Sequence, residues 1–289
     1  MIIIIGAVIV LASVLGGFVW SGGNIGNLMH PSEFLVIGGS AIGAMVIMAP
    51  INILKELIHQ IMQALKGVPY GRAAYEDLFK ALYELFMLAR RNGMVALEEH
   101  VLAPDTSSIF QKYPGFLRNK PAMEFVCGGL KPIIDGRIKP DQLRHLMIVE
   151  LDRLEEEGHA PVGVLMRTAD AMPGFGIVAA VLGIVITMQA IAGPIETIGE
   201  KVAAALVGTF LGIFIAYGFL NPLASNLEFV NAARIAYLRC IAECVGSFAN
   251  GQAPLMAMEF GRRSLETGLA PTADELEAML KSVGGGAKK

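Results

Sequence analysis

Charge is missing from long stretches of this 289-residue chain. The runs MPGFGIVAAVLGIVITMQAIA (172–192) and VAAALVGTFLGIFIAYGFLNP (202–222) contain no Asp, Glu, Lys or Arg, and neither do Ile2–Trp20 and Phe34–Ile51. No Lys or Arg precedes Lys55. A signal peptide needs a basic n-region, so Ile2–Trp20 reads as a permanent helix. There are only three cysteines and five histidines, with no ligand cluster among them. Cys240 and Cys244 lie four apart, on one face of a helix, and read as buried reduced thiols because no third ligand stands near. No phosphate-binding loop or dinucleotide fingerprint occurs. A net charge of −3 offers nothing to a nucleic-acid backbone.

What is present is apolar. Hydrophobic residues make up 54% of the chain and the mean hydropathy is +0.56, too apolar for one ordinary soluble domain. Each uncharged run is about 20 residues long, which at ~1.5 Å rise per residue matches a ~30 Å hydrocarbon layer. Four membrane-spanning helices are therefore expected. In the last two, small residues recur at helical spacing: Gly176, Ala179, Ala180 and Gly183, then Ala205, Gly208, Thr209 and Gly212. Such strips let helix backbones approach closely. Pro173 is expected to open the third helix and Pro222 to close the fourth, at the same membrane face.

Basic residues set the orientation. The Ser21–Ser32 loop has none and the loop after Ala192 has only Lys201, whereas Lys55, Lys66 and Arg72 follow the second span and Arg234 and Arg239 the fourth. Positive charge near membrane ends stays cytoplasmic, so both termini and the middle segment are expected inside. The fold class is all-α and polytopic. Spans one and two occupy 1–51, a helical cytoplasmic domain 52–171, spans three and four 172–222, and a cytoplasmic helical region 223–289.

Within the middle segment, Tyr75, Leu78, Phe79, Leu82, Leu85, Phe86 and Ala89 follow the i, i+3/i+4 pattern of an amphipathic helix. Arg90 and Arg91 end it and Gly93 stops it. Met94–Leu102 is a second short helix. Asp141–Glu157 is a third, with Leu143, Leu146, Leu151 and Leu154 inward. Ala224–Phe248 continues as a helix, Thr272 and Glu275 form a capping box for a last one, and GGGAKK is a loose tail.

No span holds an Asp, Glu, Lys or Arg; Glu33 and Asp170 stand only at the boundaries. A carboxylate inside the bilayer is costly and is retained for ion handling. If this chain conducts an ion, a partner must bring the carboxylate; a purely structural membrane protein fits composition equally.

The stretches LFMLARRNGMVALEEHV, SIFQKYPGFL, DAMPGFGIVAAVLGIV, LVGTFLGIFIAYGFLNPLA and AMEFGRRSL resemble the MotA family of flagellar motor stator proteins, over nearly the whole chain. The resemblance implies no enzyme activity and no cofactor, only a transported ion. It implies a pentameric ring around a dimer of MotB, which supplies a membrane aspartate, and a cytoplasmic domain, within 52–171, that pushes on the rotor protein FliG. Arg90 and Glu98, in the frame RxxGMxxLE, correspond to the family's rotor-contacting charges. On their own, Arg90 also reads as offsetting the helix dipole and Glu98 as solvated surface. Asp170, Pro173 and Pro222 correspond to the family's channel and coupling positions. Sodium-driven relatives have Thr where this chain has Ala180, while Thr209 is kept in proton-driven ones, so the resemblance favours a proton. ExbB/TolQ proteins use a similar ring but generally have three spans. The outer loop AGPIETIGEK diverges from relatives.

Overall fold

The computed structural model describes residues 2–67, 69–189 and 191–284, and among these every regular element is helical. In chain order they are α1 (Ile2–Trp20), α2 (Pro31–Met48), α3 (Ile51–Lys66), α4 (Arg72–Asn92), α5 (Glu98–Leu102), α6 (Pro114–Leu117), α7 (Lys120–Ile134), α8 (Pro140–Gln189), α9 (Ile195–Ile215), α10 (Asn221–Ala249), α11 (Pro254–Arg263) and α12 (Ala273–Gly284). Residues 285–289, most of the expected tail, lie outside the described residues. Four helical stretches are long and apolar enough to cross a membrane, as expected: Ile2–Trp20, Ile25–Met48, Pro140–Gln189 and Ile195–Ala249.

The chain packs as two units. The first comprises Met1–Gly67 and Glu157–Val230. Its α1 buries no residue, and Ile2, Val8, Ile9 and Val19 are exposed, the surface expected of a helix that meets lipid or other apolar chains. The amphipathic α3 belongs here as well. Leu57 and Ala64 pack with Val162, Leu165, Ala224 and Leu227, so this unit extends beyond residue 51 and begins before residue 172 on its return.

The second unit comprises Val68–Glu156 and Asn231–Lys289. All seven apolar positions expected on α4 are buried, with Leu78, Phe79, Leu82, Leu85 and Phe86 fully so. Burying one such side chain contributes about 1.5–3 kcal/mol. Gly93 stops α4 at φ +83°, a conformation that favours glycine. Met94–Leu97 then forms a 3₁₀ turn before α5. The capping box forms as expected: Thr272 N–H donates to Glu275 Oε2 at 2.8 Å and Glu275 N–H to Thr272 Oγ1 at 3.2 Å. Cys240 and Cys244 are buried and free, on α10.

Several expectations are corrected. Pro173 does not open a helix; it lies inside α8, which runs unbroken for 50 residues. Pro222 does not close one either. A π turn over Ala216–Leu220 joins α9 to α10, and this wider turn accommodates a ring that would otherwise meet the carbonyl four residues back. The expected Asp141–Glu157 helix is the start of α8, and its inward stripe is Leu143, Met147 and Leu151, at strict i+4 spacing, while Leu146 is exposed. The divergent loop AGPIETIGEK is largely helical: Pro194 caps α9, whose first turns hold Glu196, Glu200 and Lys201. An acid in that first turn complements the helix dipole.

Candidate functional site

Where α8 and α9 meet, the expected strips of small residues face each other. A Cβ added to Gly176 would lie 2.8 Å from the Gly208 carbonyl oxygen and 3.3 Å from Thr209 Cα. One on Gly183 would lie 2.8 Å from Ala205 Cβ. The two backbones are thus in direct contact, which only glycine and alanine permit. Ala180 and Thr209 both join this seam: the Ala180 nitrogen would stand 3.5 Å from a Cβ on Gly208. Both are half-buried, so the seam has an open side next to them.

Oxygen is scarce along α8 here. Thr187 is the first hydroxyl after Met172, and it donates to the Gly183 carbonyl at 2.8 Å. Such back-bonding leaves little for an ion. Toward the other end of the pair, Pro173 is half-buried, and Asp170 and Pro222 are exposed. The structure therefore brings Ala180 and Thr209 together on the seam, while Asp170, Pro173 and Pro222 sit one or more turns away.

Glu33 was missed as more than a boundary residue. It lies in the first turn of α2 and is only 7% exposed, on the same i+4 stripe as buried Ile37 and Ala41. Its Oε2 has no hydrogen-bond partner among the described residues and would stand 2.9 Å from a Cβ on Gly208. The available signal was that 33, 37, 41 spacing. An acid in a first turn, however, reads first as a dipole partner.

In the second unit, Arg90 ends α4 and Glu98 starts α5. Both are exposed, and neither has an ion-pair partner among the described residues. The chain just after Glu98 is pinned by a buried polar contact. His100 Nδ1 and Ser107 Oγ are 2.7 Å apart and buried, and Phe110 N–H donates to the same oxygen at 3.2 Å. Leu88, Val95, Leu102 and Ile109 line a groove of about 690 Å³ together with Glu98 and Glu99.

Two family models match: Motility protein A N-terminal over residues 4–93 and the MotA/TolQ/ExbB proton channel family over 117–239. Motility protein A of Salmonella typhimurium is 36% identical over 283 residues, 98% of this chain and 96% of that protein. The chain belongs to the MotA family. Another relative, chemotaxis protein LafT of Vibrio parahaemolyticus, is 37% identical over 96% of this chain and 97% of its own length. The fold matches the solved structure of C. jejuni MotAB with a TM-score of 0.76 at 21% identity, over 92% of this chain and 95% of that one. MotA membership makes the chain a flagellar motor stator subunit of a proton channel family and not an enzyme.

Proposed function

We propose that this chain forms a pentameric ring around a dimer of a single-span MotB-type partner in the bacterial cytoplasmic membrane, and that proton flow through the complex turns the ring against the rotor protein FliG. One observation carries the reading. α8 and α9 touch backbone to backbone, yet neither 172–189 nor 202–222 holds an Asp, Glu, Lys, Arg or His. Glu33 of α2 reaches this seam at one point only, so ion passage along the rest of it needs a carboxylate delivered from another chain. The solved relative is a MotAB complex, which supports a partner of that kind.

The proton is favoured over sodium by the shortage of oxygen. A sodium ion is a hard cation that takes several oxygen ligands, a rule extended here from calcium and magnesium. Ala180 offers none, Thr187 is engaged with its own helix, Thr209 supplies a single hydroxyl, and Glu33 of α2 adds one carboxyl, a poor set for a sodium shell. A proton needs only a carboxylate and a water path.

Arg90 and Glu98, exposed and without an ion-pair partner among the described residues, suit docking to opposite charges on the rotor. The basic residues Lys55, Lys66, Arg72, Arg234 and Arg239 favour both termini on the cytoplasmic side. Four spans and the RxxGMxxLE frame speak against an ExbB/TolQ-like role.

Reconstitution tests this directly. The purified chain in liposomes should leave a proton gradient intact, and co-reconstitution with the partner should dissipate it. A leak through the chain alone would overturn the proposal. In sodium-free medium swimming should persist and a protonophore should stop it; a halt on sodium withdrawal would reassign the ion.

A further inference from the structure

Glu33 is the only Asp, Glu, Lys, Arg or His side chain buried in the first unit among the described residues. From α2 it reaches Gly208 at the point where α9 meets Ala179 and Ala180 of α8: a Cβ on Gly208 would stand 2.9 Å from Glu33 Oε2 and 3.0 Å from Ala179 Cβ. The carboxyl therefore abuts the α8–α9 seam, and its Oε2 has no hydrogen-bond partner among the described residues. A bare carboxylate oxygen in such a place is strongly disfavoured unless it gains a proton or a cation.

We infer that Glu33 is a proton-binding station contributed by this chain, on the outer side of the seam and upstream of the partner's carboxylate. The step is simple in its balance. Oε2 takes a proton from a hydronium ion arriving from outside, forming an O–H bond and leaving water. The bond breaks when the proton passes to water on its way to the partner. The inference rests on the proton-conducting reading above.

The surroundings suit a lone titrating carboxyl. His30 and Ser32, beside it in sequence, are its polar neighbours. On α9 the nearest charged residue is Lys201, about two turns or ~10 Å outward of Gly208. Neither α1 nor α8 from Met172 to Gln189 carries an ionisable side chain. Those of α3 begin at Lys55, beyond the far end of α2. Of these groups only His30 lies beside Glu33. No group of three or more His, Cys, Asp or Glu side chains that could hold a metal ion occurs among the described residues.

The test uses the chain reconstituted with its partner. Infrared spectra should contain a protonated-carboxyl C=O band that fades as the outer pH rises, disappears in E33Q and moves in E33D. Proton flux in E33Q should fall several-fold and lose its dependence on outer pH, with E33D retaining much of both. If E33Q fails to assemble, the band in the wild type and its displacement in E33D still decide the matter. Identical bands and fluxes in wild type, E33Q and E33D would overturn the inference. Absence of flux in the wild-type complex would instead count against the functional reading itself.

Discussion

Gly212 of α9 stands over the carbonyl of Met172 in α8: a Cβ there would fall 2.6 Å from the oxygen and 3.0 Å from Gly176 Cα. Both obstacles are backbone, so no side-chain rotation can make room. G212A should force the two helices apart at a cost of about 1–3 kcal/mol, lowering ion flux and thermal stability of the assembled complex. G43A, whose new methyl would meet nothing within 4 Å, should leave both unchanged. Equal behaviour of the two variants in a flux assay would contradict the tight seam.

Arg90 and Glu98 should affect torque without affecting folding, since both are exposed and neither has an ion-pair partner among the described residues. Charge reversals R90E and E98K should slow tethered-cell rotation while membrane insertion and partner capture stay normal. Reversal of the matching rotor charge should recover part of the speed. Exposed pairs are worth roughly 0.2–1 kcal/mol each, so R90A and E98A alone should be mild. Unchanged rotation in the double reversal would return both charges to the roles of dipole partner and solvated surface.

The prolines now carry a different expectation from that of helix ends. P173A would add an N–H inside continuous α8, able to bond the Ala169 carbonyl, and P222A would do the same after the π turn. Both variants should assemble, and both should swim more slowly, because a helix that must flex during the ion cycle has been stiffened. Speed at a series of viscous loads is the measurement. Wild-type curves for both would remove the prolines from the coupling path.

Acid should weaken the second unit through Glu259. Its carboxylate accepts hydrogen bonds from Arg262 Nε and Nη2 at 2.7 Å each and from Arg263 at 2.8 Å. The bonds from Arg262, then those from Arg263 and the nearby positive charge, hold it down to about 2 from 4.5. A carboxyl lowered on folding stabilises fully above its unfolded value, and that contribution drains away as the pH drops from about 4.5 toward about 2. E259Q should be less stable at neutral pH and show a flatter acid limb in thermal unfolding. An acid limb identical to the wild type's would assign the loss to other groups.

Much of the fold could be read ahead of the coordinates, for identifiable reasons. Seven apolar residues of α4 keep a 3.6-residue period over about four turns, and that periodicity decides both helix and face. The Thr272–Glu275 box is purely local and needs no tertiary information. The α8–α9 seam was legible because only small residues allow backbones to meet. Local rules failed where tertiary packing overrode them. Pro161 and Pro173 lie within α8 although proline ordinarily disfavours helix interiors. Leu146 is exposed because the burying stripe steps from Leu143 to Met147. Glu33 was misjudged because its neighbours in space, on α9, lie about 175 residues away in sequence, and no periodicity within α2 reveals what stands opposite.

The π turn at Ala216–Leu220 has a further consequence, for chain length. A π turn holds one residue more than an α turn, and each helical residue advances the face by about 100°. Deleting one residue there would relax the turn into ordinary helix with its hydropathy and capping intact. Because the wider turn absorbs that extra residue, Ala224 and Leu227 would keep the surface they share with Leu57 and Leu165, whereas deleting a residue from the plain helix before it would swing them off by about 100°. Chain length is forgiving at this point, and a single-codon deletion should do less harm within the turn than in the helix that precedes it.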